Sequence, residues 1–129
     1  MNKSILITAS ILGILSIVLG AFAAHGLKKL IPAESISVFE TGVKYQMYHA
    51  IFLLFVGSSS YVSDSYQKTI FYLTILGLIL FSGSIYALAT NALTSFDFKK
   101  IGFITPIGGL LLIAAWVALL INFLKSSPN

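Results

Sequence analysis

The chain has 129 residues, 57% of them hydrophobic and 9% charged, with a mean hydropathy of +0.96; a soluble domain carries about 25% charged residues, so this composition excludes an adequate water-facing surface. The net charge of +4 comes with eight basic residues, all lysine and set in short clusters beside apolar runs, which is the pattern of membrane flanks and excludes a nucleic-acid face. There is no cysteine, which excludes disulfides and thiolate metal sites.

The length suits one domain, residues 1–129. Residues 4–27 form a run of 24 without Asp, Glu, Lys or Arg. About 20 apolar residues at about 1.5 Å each cross a bilayer core, so a first span is expected over about 5–26. Lys3, the apolar run and Ala21-Phe22-Ala23 also fit a secretory signal with an A-x-A cleavage site; the segment is read as a retained span. Ala9, Gly13, Ser16, Gly20 and Ala24 recur at three or four residues, which puts small side chains on one helix face for close helix contact.

Gly26-Leu27-Lys28-Lys29-Leu30 ends this span. Pro32 suits a first helical position, and Glu34 a first turn where the helix dipole favours an anion. Ile36, Phe39, Val43, Met47, Ala50 and Leu54 then predict one apolar stripe of a helix starting near residue 33. Gly42 is the expected bend or break. The charge-free part, residues 45–63, has 19 residues, just enough for a second span over about 45–60. Residues 33–44 either lie in the interface or continue that span as one helix. Serines from Ser58 to Ser65 mark a polar exit loop.

Residues 69–96 contain 28 residues without charge, and a third span is expected over about 69–91, with Asn91 as its stop. The run Phe81-Ser82-Gly83-Ser84-Ile85-Tyr86 again suggests tight helix contact. Residues 97–100 form a charged loop. Thr105-Pro106 reads as an N-cap followed by proline at the first helical position, which opens a fourth span over about 105–124. Gly108 and Gly109 would each cost a soluble helix about 1 kcal/mol relative to alanine, and in a span they signal close packing. Trp116 lies mid-span, away from the interfacial belt where tryptophan anchors, and is expected to pack between helices. Lys125 and Ser126-Ser127-Pro128 end the chain. The fold expected is all-α, an integral membrane four-helix bundle. Five lysines (Lys28, Lys29, Lys44, Lys99, Lys100) against three (Lys3, Lys68, Lys125) put the first and third connections in the cytoplasm and both termini outside.

The stretch Tyr45-Gln46-Met47-Tyr48-His49-Ala50 crowds polar groups where the second span begins, and polar side chains near hydrocarbon need partners. An up-down bundle places His25, Tyr45, Gln46, His49, Tyr86, Asn91 and Thr105 near one membrane face, with Ser82 and Ser84 one or two turns deeper. Three readings stay open. The cluster is a hydrogen-bonded lock between helices. It is a small-molecule, lipid-headgroup or quinone pocket with lysines attracting an anion. Or His25 and His49 supply both axial ligands of a haem, which requires them at one depth with rings facing.

Enzyme chemistry finds no support: there is no paired carboxylate in a span, no Ser-His-Asp set, no H-E-x-x-H and no Gly-rich phosphate loop. Glu40 with the two histidines lacks a short metal-ligand motif. No cofactor or metal is therefore expected, and no nucleic acid. The expected partners are the lipid bilayer and either further copies of the chain or a larger membrane complex. The helix-packing residues are Gly13, Gly20, Gly83, Gly108, Gly109 and Trp116.

Four blocks in order carry a resemblance: Gly20-Ala21-Phe22-Ala23-Ala24-His25-Gly26-Leu27, Tyr45 to Ala50, Phe81 to Tyr86, and Thr105-Pro106-Ile107-Gly108-Gly109 with Trp116. Over nearly its whole length the chain resembles the small bacterial inner-membrane family called domain of unknown function four-two-three, which has mitochondrial relatives. The family pattern has glycine where Ala23 stands, and tryptophan in the first connection where Phe39 stands. The resemblance implies a four-helix protein of the bacterial inner membrane and supplies no activity. It marks the same histidine, tyrosine and glycine blocks. An accessory or assembly subunit acting through helix packing is expected; ligand binding by the polar cluster is the alternative.

Overall fold

A computed structural model describes residues 2–93, 97, 100 and 102–126. It contains α1 (Asn2–Ala24), a 3-10 turn (Leu27–Lys29), α2 (Ala33–Ser58), α3 (Asp64–Ala89), a second 3-10 turn (Asn91–Leu93) and α4 (Ile104–Lys125), with no strand among the described residues. Lys99, counted for orientation, and Ser127-Pro128 lie outside the described residues. α1 with its following turn, α3 and α4 are long and apolar enough to cross a membrane. α2, which carries Glu34, Glu40 and Lys44, does not meet that composition.

Several helix ends differ from expectation. Residues 33–44 are continuous with 45–58 in one helix, and Gly42 does not break it. Pro32 stands at the N-cap rather than the first helical position. α3 begins at Asp64, five residues before the expected start, with an acid in its first turn where the dipole favours it. α4 is preceded by Phe103, not Thr105, at the N-cap. Thr105 lies inside the helix, and its hydroxyl is used against α3.

The helices pack in chain order, α1 on α2, α2 on α3 and α3 on α4, as short connections between antiparallel neighbours require. Gly13 sits beside Ala50, and Gly20 beside Val43. That register puts the middle of α1 against the middle of α2. Two apolar clusters hold the ends. Ile5, Phe52, Leu53, Val56, Ile70, Ala115 and Leu119 form one. Ala23, Leu27, Ile31, Phe39 and Ala89 form the other, around the first connection.

The buried face of α2 keeps Phe39 and Ala50 of the predicted stripe but departs from it elsewhere. It runs through Phe39, Gly42, Gln46, His49, Ala50, Leu53, Val56 and Gly57, while Leu54 is exposed. Hydrocarbon solvates apolar side chains on the outside, so the polar ones turn inward to find partners.

The glycines sort by approach. A Cβ on Gly108 would stand 2.4 Å from the Phe81 backbone nitrogen, so α3 and α4 touch backbone to backbone there. On Gly13, Gly20 and Gly109 it would make only ordinary contact, at 4.0, 3.6 and 3.6 Å. Gly83 corrects its expectation: among the described residues nothing lies within 4 Å of its Cβ position, because it faces out of the bundle. Gly42, under the Tyr86 ring, does what was expected of Gly83; a Cβ would meet that ring at 2.7 Å.

Candidate functional site

Between the two apolar clusters lies a polar layer, and Gln46 is its centre. Gln46 stands halfway along α2 and is buried. Its Nε2 donates to the Leu12 carbonyl of α1 at 3.0 Å. Its Oε1 accepts from the Tyr86 hydroxyl of α3 at 2.7 Å. One side chain thus ties three helices. The Leu12 carbonyl also accepts from Ser16 Oγ at 2.8 Å. The Tyr86 ring packs on Phe39, with centroids 4.9 Å apart.

Two serines of α3 extend the layer. Ser82 Oγ donates to the Gly42 carbonyl of α2 at 2.9 Å, an approach made possible by the missing side chain. Ser84 Oγ and Thr105 Oγ1 are 2.6 Å apart and join α3 to α4.

His49 joins α2 to α4. Its Nδ1–H donates to the Tyr45 carbonyl at 2.7 Å. Its Nε2 accepts from the Trp116 indole N–H at 3.2 Å. A carbonyl can only accept and an indole N–H can only donate, so these partners assign the neutral Nδ1–H tautomer. The Trp116 ring stacks at a tilt on Phe52, 4.2 Å between centroids. Trp116 is nevertheless 50% exposed: it closes one side of the α2–α4 contact rather than lying wholly between helices.

The cluster expected at one membrane face is therefore spread along the bundle. Thr105 and Ser84 lie toward the end near the first connection. Gln46, His49 and Trp116 lie at mid-height, because α2 already begins at Ala33. His25 is exposed beyond the end of α1. By the α1–α2 register it stands level with residue 38, about 16 Å along the axis from His49. The two histidines do not share a depth, and both ring nitrogens of His49 are engaged, which removes the bis-histidine haem geometry. Asn91 lies in the turn beyond α3. Among the described residues no three His, Asp or Glu side chains gather as a metal site.

Tyr45 has a different position. Its ring packs on Phe81 at 4.9 Å and is 40% exposed. It lines a groove of about 560 Å³ with His49, Phe81, Gly109, Leu112, Ile113 and Trp116. The groove opens sideways between α2 and α4, and its lining is almost wholly apolar.

Two polar residues outside the predicted cluster also bridge elements. Gln67 Nε2 donates to the Val56 carbonyl at 2.8 Å, while its Oε1 has no partner among the described residues. Asn122 holds the second connection, accepting from the Ser63 N–H at 3.1 Å and donating to the Tyr61 carbonyl at 2.8 Å. A signal was present for both: each is an amide side chain within or beside an apolar helix, where an unpaired amide is costly.

Four helices, an inward polar layer and an apolar exterior define an all-helical membrane protein. The chain belongs to the family described as protein of unknown function DUF423, whose model matches residues 19–109. Similar curated proteins support this along nearly the whole length. A UPF0382 membrane protein of Haemophilus influenzae is 37% identical over 126 residues, covering 98% of each chain. The UPF0382 membrane protein YwdK of Bacillus subtilis is 35% identical, covering 95% of this chain and 98% of its own. The UPF0382 inner membrane protein YgdD of Escherichia coli is 35% identical, covering 96% and 92%. No solved structure matches the chain.

Proposed function

We propose that this chain is a non-enzymatic, four-span protein of the bacterial inner membrane that acts by packing, as an accessory or assembly subunit or as a homo-oligomer. The observation that carries this is the use of the interior polar groups. Gln46, Tyr86, Ser82, Ser84, Thr105, His49 and Trp116 spend their hydrogen bonds across helices or on backbone. Such a layer fixes the bundle. What the protein does then happens on its outer faces. The inner-membrane location rests on the name of the Escherichia coli relative. The fourth span rests on α2 running unbroken beside α1 and α3.

A tagged pull-down from native membranes in mild detergent tests this. The reading expects a stoichiometric protein partner, another copy of the chain included. A lone monomer with no partner would overturn it. One observation favours a second reading, a lipid- or quinone-binding protein: the sideways groove bordered by Tyr45, whose hydroxyl has no hydrogen-bond partner among the described residues. Lipid and chromophore analysis of the same purified sample separates the two.

A further inference from the structure

The outer face of α2 differs from those of its neighbours. Ser37, Glu40, Thr41, Lys44 and Tyr48 recur at three or four residues and are all exposed. Gly20 lies beside Val43, and Ser82 binds the Gly42 carbonyl, so this stripe stands level with residues 15–26 at and just beyond the end of α1 and with α3 near residues 76–87. At that level α1 exposes Ile17 at 66%, Val18 at 56% and Phe22 at 45%, and α3 exposes Ile79 at 62%. An apolar exterior on both neighbours marks hydrocarbon depth. Lys44 stands opposite Leu19, about 12 Å along the axis from the end of the apolar run at Leu27. Both Glu40 and Lys44 lean toward the α2 N-terminus, which brings them nearer the headgroups and relieves part of their cost. Neither makes an ion pair with a described residue, although Glu40 borders a small pocket of about 370 Å³ that Lys28 also lines.

We propose that this stripe is the interface between two copies of the chain, with Glu40 of each copy paired to Lys44 of the other. The inference rests on the packing reading above and names its surface. Charge complementarity selects the occupant. The stripe carries both signs one helical turn apart, so it is complementary to itself. Copies inserted in the same direction are related by a two-fold axis along the membrane normal, which sets the two α2 helices side by side and parallel. Such an interface is isologous, so a Glu40–Lys44 contact occurs twice. Both charges are thereby paired within the membrane, as intramembrane ionisable groups require. Thr41 already spends its hydroxyl on the Ser37 carbonyl at 3.2 Å and presents a small surface at the centre of the contact.

The absence of native cysteine makes crosslinking in native membranes clean. Thr41→Cys treated with a bis-maleimide should give a covalent dimer, while Ile14→Cys on α1 and Ile113→Cys on α4 should not. Adding Lys44→Glu should cut the dimer to the level of those controls, and adding Glu40→Lys as well should restore it. The doubly reversed variant keeps both charges in the stripe, so its recovery separates pairing from a folding defect in the single reversal. Dimers at Ile14→Cys or Ile113→Cys but not at Thr41→Cys would overturn this face and leave the packing reading standing. No dimer anywhere, with a different protein held stoichiometrically in the pull-down, would overturn the second copy as occupant. No dimer and no partner would overturn both.

Discussion

Replacing Gly108 by alanine drives a methyl group into the backbone of α3. Its Cβ would stand 2.4 Å from the Phe81 nitrogen, 2.7 Å from the Leu80 carbonyl carbon and 2.8 Å from the Gly77 oxygen. None of these atoms can rotate away, so α3 and α4 must separate. Reaching an ordinary contact of 3.4 Å takes about 1 Å of movement. That movement also stretches the Ser84–Thr105 bond from 2.6 Å to about 3.6 Å, outside hydrogen-bonding range. Overpacking costs about 1–3 kcal/mol, and the rigid backbone puts this site at the upper end. The lost bond adds about 0.6 kcal/mol. The sum, about 3 kcal/mol, shifts the folding equilibrium roughly a hundredfold. Reversible unfolding in mixed micelles with rising SDS, followed by Trp116 emission, measures it. Gly83→Ala is the matched control, because its added carbon meets nothing within 4 Å, and it should be neutral or slightly stabilising. Equal stability of Gly108→Ala and Gly83→Ala would refute the close helix approach.

Gln46→Leu removes one bond to α1 and one to α3; it should lose about 1–2 kcal/mol in the same assay. Tyr86→Phe added to Gln46→Leu should cost less than in the native background, and strict additivity in that cycle would deny the bond. Asn122→Leu should destabilise the protein by about 1 kcal/mol and speed proteolytic cleavage near residues 59–63, since both of its bonds hold that connection. Trp116 is the only tryptophan and borders the groove; brominated acyl chains should quench it strongly, and unquenched emission would mean a closed groove.

Much of the helix layout was legible because lipid demands long apolar helices. Runs free of charge located α1 and α3 within about five residues, and the Thr105-Pro106 pair located α4. The phase of α2 was not legible in the same way. An apolar stripe marks the buried face in water, but hydrocarbon accepts Leu54 and Ile51 outside and sends Gln46 and His49 inward. Tyr45 to His49 lie at mid-height of the bundle and not at its end, where Glu34, Glu40 and Lys44 suggested a water boundary, because α2 runs beside apolar α1 from about Phe39 onward. The candidate residues themselves could be named from sequence, and the structure joins Gln46 to Tyr86, Ser84 to Thr105 and His49 to Trp116. It leaves His25 aside. The glycines show the same limit: Gly42 was expected to bend its helix and Gly83 to pack, and only the facing helix shows that Gly42 is the one in close contact.

The most direct test of an account based on packing is native mass spectrometry of the full chain released from its own membranes. One spectrum weighs the assembly and anything bound to it. The account predicts a two-copy mass, alone or within a larger protein complex, that survives delipidation. A monomer that keeps one stoichiometric small molecule would contradict it.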